Sequence, residues 1–171
     1  MASVRLWFYD PTSDGDGFVN KLVARMDQPF CHVKTQFGDG LACSIYMGTA
    51  VVLRKRTFDS SNYSCVTMPC TRAQHSLALA HAHLLNNQGL TFSSLQMYSC
   101  LLWTPIAVNA TSTFCSKLVV DILQHASLLP PTVMSHQVTQ STLHRMVLPL
   151  ACVRPAVQCR GPATAIDFKS L

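Results

Sequence analysis

The chain contains no glutamate; its eight acidic residues are all aspartates. An HExxH metalloprotease needs a glutamate base, a zinc deaminase needs a glutamate proton shuttle, and an EF-hand closes with a glutamate, so none of these fits. A glycosidase pair would have to be two aspartates. Charge of either sign is scarce. Charged residues make up 12% of the chain, against roughly 25% in an ordinary soluble domain. The 49% hydrophobic content excludes a disordered chain. Long apolar runs are missing as well: residues 50–53 and 146–153, the latter with Pro149 inside, fall far short of the roughly 20 residues that span a bilayer. The first residues, Met1–Trp7, turn polar too early for a signal peptide. The expectation is a soluble, cytoplasmic protein with no transmembrane segment.

What is present is a length of 171 residues, enough for one domain with a sizeable core, and eight cysteines. None of the cysteines forms a CxxC pair, which argues against a zinc ribbon or a thioredoxin motif. Most read as small buried hydrophobes. The net charge of +5 comes from scattered basic residues, with Arg54-Lys55-Arg56 as the one cluster. That cluster reads as a solvated strand end rather than a phosphate patch, and no nucleic-acid partner is expected.

Along the chain, Val4–Tyr9 is a β-type run ending at Asp10-Pro11. Phe18, Leu22, Val23 and Met26 recur at helical spacing, which predicts an amphipathic helix over residues 16–27. Cys31–Phe37 and Leu41–Tyr46 read as paired strands around Gly38-Asp39-Gly40, with Asp39 capping the turn, and residues 50–54 continue the meander. Residues 57–64 read as loop, and Cys65–Met68 as a strand ending at Pro69. Thr71 is a plausible N-cap for a helix over Arg72–Leu85, in which Ala73, Leu77, Ala80 and Leu84 form a helical stripe. Further helices are expected over 92–103, Phe114–Ala126 and Thr139–Met146, with a loop at Thr104–Thr113. The order predicts an α+β domain over residues 1–148, an antiparallel meander against helices, followed by a basic tail over 149–171.

Cys115 falls in the first turn of the Phe114–Ala126 helix, on the face of Val119, Ile122 and Ala126. Unpaired N–H groups and the helix dipole favour a thiolate there and lower a cysteine's pKa. The backbone N–H groups of Cys115 and Ser116 can also receive a developing oxyanion. A small core residue at a helix start fits the same position. His32 opens a strand and can supply the imidazole that a nucleophilic thiol needs. If the Gly38-Asp39-Gly40 loop has three residues, paired residue numbers sum to 78, His32 faces Tyr46, and Ser44 lies diagonally on the same sheet face. A two-residue turn would put His32 and Ser44 on opposite faces. The remaining histidines lack companions at ligand spacing, so neither a metal nor a cofactor is expected.

The run His32-Val33-Lys34-Thr35-Gln36-Phe37-Gly38-Asp39-Gly40 resembles the HV-x-I-x-x-G-x-G strand–hairpin of the NlpC/P60 superfamily. Phe114-Cys115-Ser116-Lys117-Leu118-Val119 is similar to the [YF]CS-x-LV helix start of its circularly permuted branch, in which the histidine strand precedes the cysteine helix. Thr139-Gln140-Ser141-Thr142-Leu143 is similar to that branch's TP-x-x-L element, with Gln140 where proline is usual. The resemblance is nearest to YiiX-like bacterial and poxviral members and covers residues 4–146. Lecithin:retinol acyltransferase-like proteins are cousins.

The resemblance implies a permuted papain-like fold with Cys115 as nucleophile, His32 as general base and Ser44 at the third position, where relatives more often carry His, Asn, Gln or Glu. It further implies a peptide, protein or acyl substrate, and host cytoplasm if the chain is viral. Cleavage of a peptide or isopeptide bond is the leading expectation. A lipid-directed thiol acyltransferase or phospholipase is the alternative, although such cousins usually carry an Asn-Cys-Glu-His signature and a hydrophobic anchor. A degenerate papain-like binding module is the third.

Overall fold

The computed structural model describes residues 2–11, 17–59, 61–102, 104 and 109–151. Most of the expected tail, including Cys152 and Cys159, lies outside the described residues. In chain order the elements are β1 (Ala2–Tyr9), α1 (Phe18–Met26), β2 (His32–Gln36), β3 (Leu41–Ser44), β4 (Val52–Lys55), β5 (Tyr63–Cys70), α2 (Arg72–Asn87), β6 (Thr91–Phe92), α3 (Ser94–Leu102), β7 (Ser112–Thr113), α4 (Cys115–His125) and α5 (Gln140–Val147). The architecture is α+β. Five strands form an antiparallel sheet in the order β4-β3-β2-β1-β5, while β6 and β7 form a separate parallel pair.

Strand alternation divides the sheet into two chemically different faces. Val4, Leu6 and Phe8 of β1 point inward with Val33, Cys43, Val66 and Met68. They pack against Leu118, Val119 and Ile122 of α4 and Leu143 of α5. Burying each large apolar side chain stabilises the fold by about 1.5–3 kcal/mol. The opposite face carries Trp7 and Tyr9, paired across the ladder with Lys34 and His32.

The hairpin has the longer loop. Thr35 pairs with Cys43 and Gln36 with Ala42, the register that sums to 78. Gly40 takes a positive φ of 82°, and Asp39 Oδ1 accepts from Leu41 N at 3.0 Å, which closes the turn. Thr71 caps α2 reciprocally with Gln74: the Gln74 N–H donates to Thr71 Oγ1 and the Thr71 N–H to Gln74 Oε1, each at 3.1 Å.

Three local expectations change. Strand β5 starts at Tyr63, inside the expected loop, and runs through Pro69 to Cys70. It is an edge strand paired only with β1, so the missing proline N–H breaks no second ladder. The inward stripe of α2 is Ala78, Ala82 and Leu85, whereas Leu77 and Leu84 are exposed. Small alanines let α2 approach α4 closely, and that contact outweighs burial of the leucines. On α1 only Val23 is buried; Phe18 remains 79% exposed.

Candidate active site

Two packing units bring the chemistry together. Val23, Cys31, Met97, Cys100 and Phe114 form a small second core where α1, α3 and the start of α4 meet. The parallel β6–β7 pair feeds directly into that helix start, and Ser93 N donates to Thr113 O at 2.8 Å. Phe114 is the N-cap residue of α4, and its side chain offers no hydrogen bond to the first turn. The first-turn N–H groups therefore have no side-chain cap.

Cys115 is the first residue of α4 and only 1% exposed. Its Sγ accepts a hydrogen bond from Gln140 Nε2 at 3.0 Å. It also lies toward the backbone N–H groups of Val33, Ser116 and Cys115 itself, each of which favours the thiolate. Burial is the larger influence and pushes the thiol above its ordinary value of 9.0. The lowered pKa expected from the helix start is thus overturned in the resting structure: desolvation outweighs the dipole and the donors.

Gln140 is the residue that the sequence presented only as a substitution for proline. It is 1% exposed and spans Sγ and the Cys31 carbonyl oxygen, the latter at 3.4 Å. Its placement depends on Asp27, at the end of α1. The Ser141 N–H donates to Asp27 Oδ2 at 2.8 Å and the Thr139 hydroxyl to Asp27 Oδ1 at 2.7 Å; the Ser141 hydroxyl donates to the Asp27 carbonyl oxygen. Thr139 in turn caps α5, accepting from Thr142 N at 3.2 Å. Asp27 thus pins the first turn of α5 and aims Gln140 at the thiol. Burial raises the Asp27 pKa above 3.8, partly offset by these donors.

No match is found among protein-family models, curated proteins or solved structures. The chemistry of the site therefore rests on its own geometry.

His32 heads β2, next to the Val33 N–H that faces the thiol. Alternation puts its side chain with Lys34 and Gln36, on the face away from Val33. Its ring stacks on Tyr46, with centroids 4.9 Å apart, as the hairpin register predicts. The buried Nε2 has no hydrogen-bond partner among the described residues, so no such bond joins it to Cys115. Burial, followed by the nearby Lys34 and Arg56 charges, holds His32 well below its ordinary 6.5, and the imidazole is neutral at neutral pH. Ser44 shares the His32 face and is fully buried, but its Oγ forms no well-made hydrogen bond; it lies toward the Tyr46 phenol. Ser116 is fully buried, and its N–H points toward Sγ.

The structure therefore brings Cys115, Ser116 and the β2 backbone beside His32 together. It does not join His32 to Sγ, nor Ser44 to His32. Gln140 and Asp27 carry no local signal beyond the Thr139 cap, because the Cys31 carbonyl and the Asp27 clamp lie more than 100 residues from α5, and Cys115 lies 25 residues from Gln140.

Proposed function

We propose that this chain is a cysteine hydrolase of permuted papain-like design that cleaves an amide bond, in a peptide or isopeptide linkage, through a thioester intermediate. The observation that carries the reading is the set of donors around Cys115 Sγ: one buried side-chain amide at 3.0 Å and the N–H groups at the start of α4. Donors so arranged, close to an attacking sulfur, are placed to receive the oxyanion that forms on the attacked carbonyl. His32, neutral at rest, takes the thiol proton. Sulfur then bonds to the carbonyl carbon, and the leaving amine departs with the proton returned by His32. Water, deprotonated by the same imidazole, releases the acid. No step needs a carboxylate.

The approach of His32 to the thiol is assigned to the substrate-bound state. The β2–β3 ladder ends at Thr35 and Cys43, so the sheet is open beside the Val33 N–H. Hydrogen bonds of this kind are often long in free enzymes and tighten on binding. A second reading, a non-catalytic binding fold, is favoured by the near-complete burial of Cys115 and the unpaired His32 Nε2.

Peptide, isopeptide and phospholipid substrates, each run beside Cys115→Ala, separate the readings. Cysteine-dependent amide cleavage supports the proposal. Cleavage of lipid esters alone replaces it with the acyltransferase reading, and no turnover of any substrate leaves the binding fold.

A further inference from the structure

On the outer face of the sheet, positive charge is buried without a carboxylate partner among the described residues. Lys34 is 4% exposed. Lysine is almost never buried to this extent unless paired. Its Nζ donates to the Tyr63 hydroxyl at 2.6 Å and lies 4.7–5.3 Å from the ring centroids of Tyr63, Phe58 and Tyr46. Arg56 approaches the same Tyr46 ring, with Cζ at 5.4 Å, and His32 stacks on it. The one ion pair among the described residues is Lys117–Asp121, on α4, so neither Lys34 nor Arg56 meets a carboxylate of the described residues. Three polar atoms in this cluster, His32 Nε2, Arg56 Nε and Ser44 Oγ, are buried with no hydrogen-bond partner among the described residues. Of the basic run 54–56, Arg54 and Lys55 are exposed as the sequence suggested, but Arg56 turns inward. The backbone of Arg56 is held there by Gln36, whose Nε2 donates to the Arg56 carbonyl at 2.8 Å and whose Oε1 accepts from Trp7 Nε1 at 2.9 Å.

We infer that this cluster is a binding site for a phosphate group, held by Lys34, Arg56 and His32 around Tyr46. The Lys34 ammonium and the Arg56 guanidinium together match the roughly −1.5 to −2 that a phosphate monoester carries near neutral pH, whereas a single carboxylate leaves one charge uncompensated. Planar guanidinium and point-charge ammonium are the usual pair for phosphate oxygens. Trp7 and Phe58, stacked at 4.9 Å, wall the cluster and favour an aromatic or heterocyclic body on the ligand. The inference does not depend on catalysis at Cys115.

Calorimetric titration of the full chain with inorganic phosphate, phenyl phosphate and acetate tests it. Phosphate is expected to bind at one site per chain, with phenyl phosphate tighter if the ring reaches Trp7 and equal if the site takes the free anion. Arg56→Gln, at a partly buried position, and Lys34→Met, which keeps the volume of the side chain, should each weaken binding about 10–100-fold, the loss of one charged hydrogen bond. Circular dichroism confirms that both variants are folded. Acetate as tight as phosphate, unchanged binding in both variants, or no saturable binding overturns the inference. So does ultraviolet difference absorbance showing Tyr46 already ionised without ligand, because the phenolate would then be the counter-charge.

Discussion

Replacing Gln140 by methionine keeps the volume of the side chain and removes its donors. Cys115 Sγ, at 3.0 Å, and the Cys31 carbonyl, at 3.4 Å, then each lose the hydrogen bond from this amide. Losing a buried hydrogen bond costs about 0.5–1.5 kcal/mol, so the pair together costs about 1–3 kcal/mol. The thioether of methionine packs where the amide was and restores none of this. Gln140→Met is therefore expected to lose about 1–3 kcal/mol in urea unfolding, and Gln140→Ala more, because a cavity adds to the loss. Reactivity should fall further than stability. If Gln140 donates to the oxyanion, its removal slows acyl transfer by about 10²–10³-fold. The assay is single-turnover acylation by an amide substrate, or by a generic activated ester, followed by mass spectrometry of the peptide that carries Cys115. An acylation rate within twofold of the parent in a folded Gln140→Met variant refutes the role assigned to this side chain.

Asp27→Ala removes the acceptor of the Ser141 N–H and the Thr139 hydroxyl, and should lower stability by about 1–3 kcal/mol in urea unfolding while slowing Cys115 acylation through displaced Gln140. His32 has a folded pKa well below its ordinary 6.5, so between those values the unfolded chain binds more protons; stability is complete above about pH 6.5 and falls as the pH drops through that window. Thermal unfolding from pH 7.5 to 5 measures this, and His32→Phe should flatten it only partly, because His81 and His144 are lowered too. In the resting protein, iodoacetamide should modify exposed Cys65 well before Cys43 or Cys100, whose thiols burial pushes up to about 12; peptide mapping gives the order.

The sheet was legible because its signals are local. The Gly-Asp-Gly loop narrowed the β2–β3 register to two, of which the three-residue form is the one adopted, and alternation then puts His32 on the face away from Val33. The face of α2 was not legible, since alanine and leucine occur around much of that helix and only tertiary contact with α4, β1 and β4 selects a side. Cys115 could be placed by helix phase, but its raised pKa could not, because the desolvation comes from its burial in the main core, which depends on tertiary packing. Gln140 looked like a missing proline. Its role arises from Asp27, across more than 100 residues of chain, and no short-range pattern encodes that clamp.

The most direct test of the thiol mechanism is the pH dependence of Cys115 acylation in the parent and in His32→Ala. The account predicts one acyl group per chain, on Cys115, at a rate that falls toward acid pH as His32 protonates and drops tenfold or more in His32→Ala. Acylation at another cysteine, or a Cys115 rate untouched by the loss of the imidazole, would contradict it.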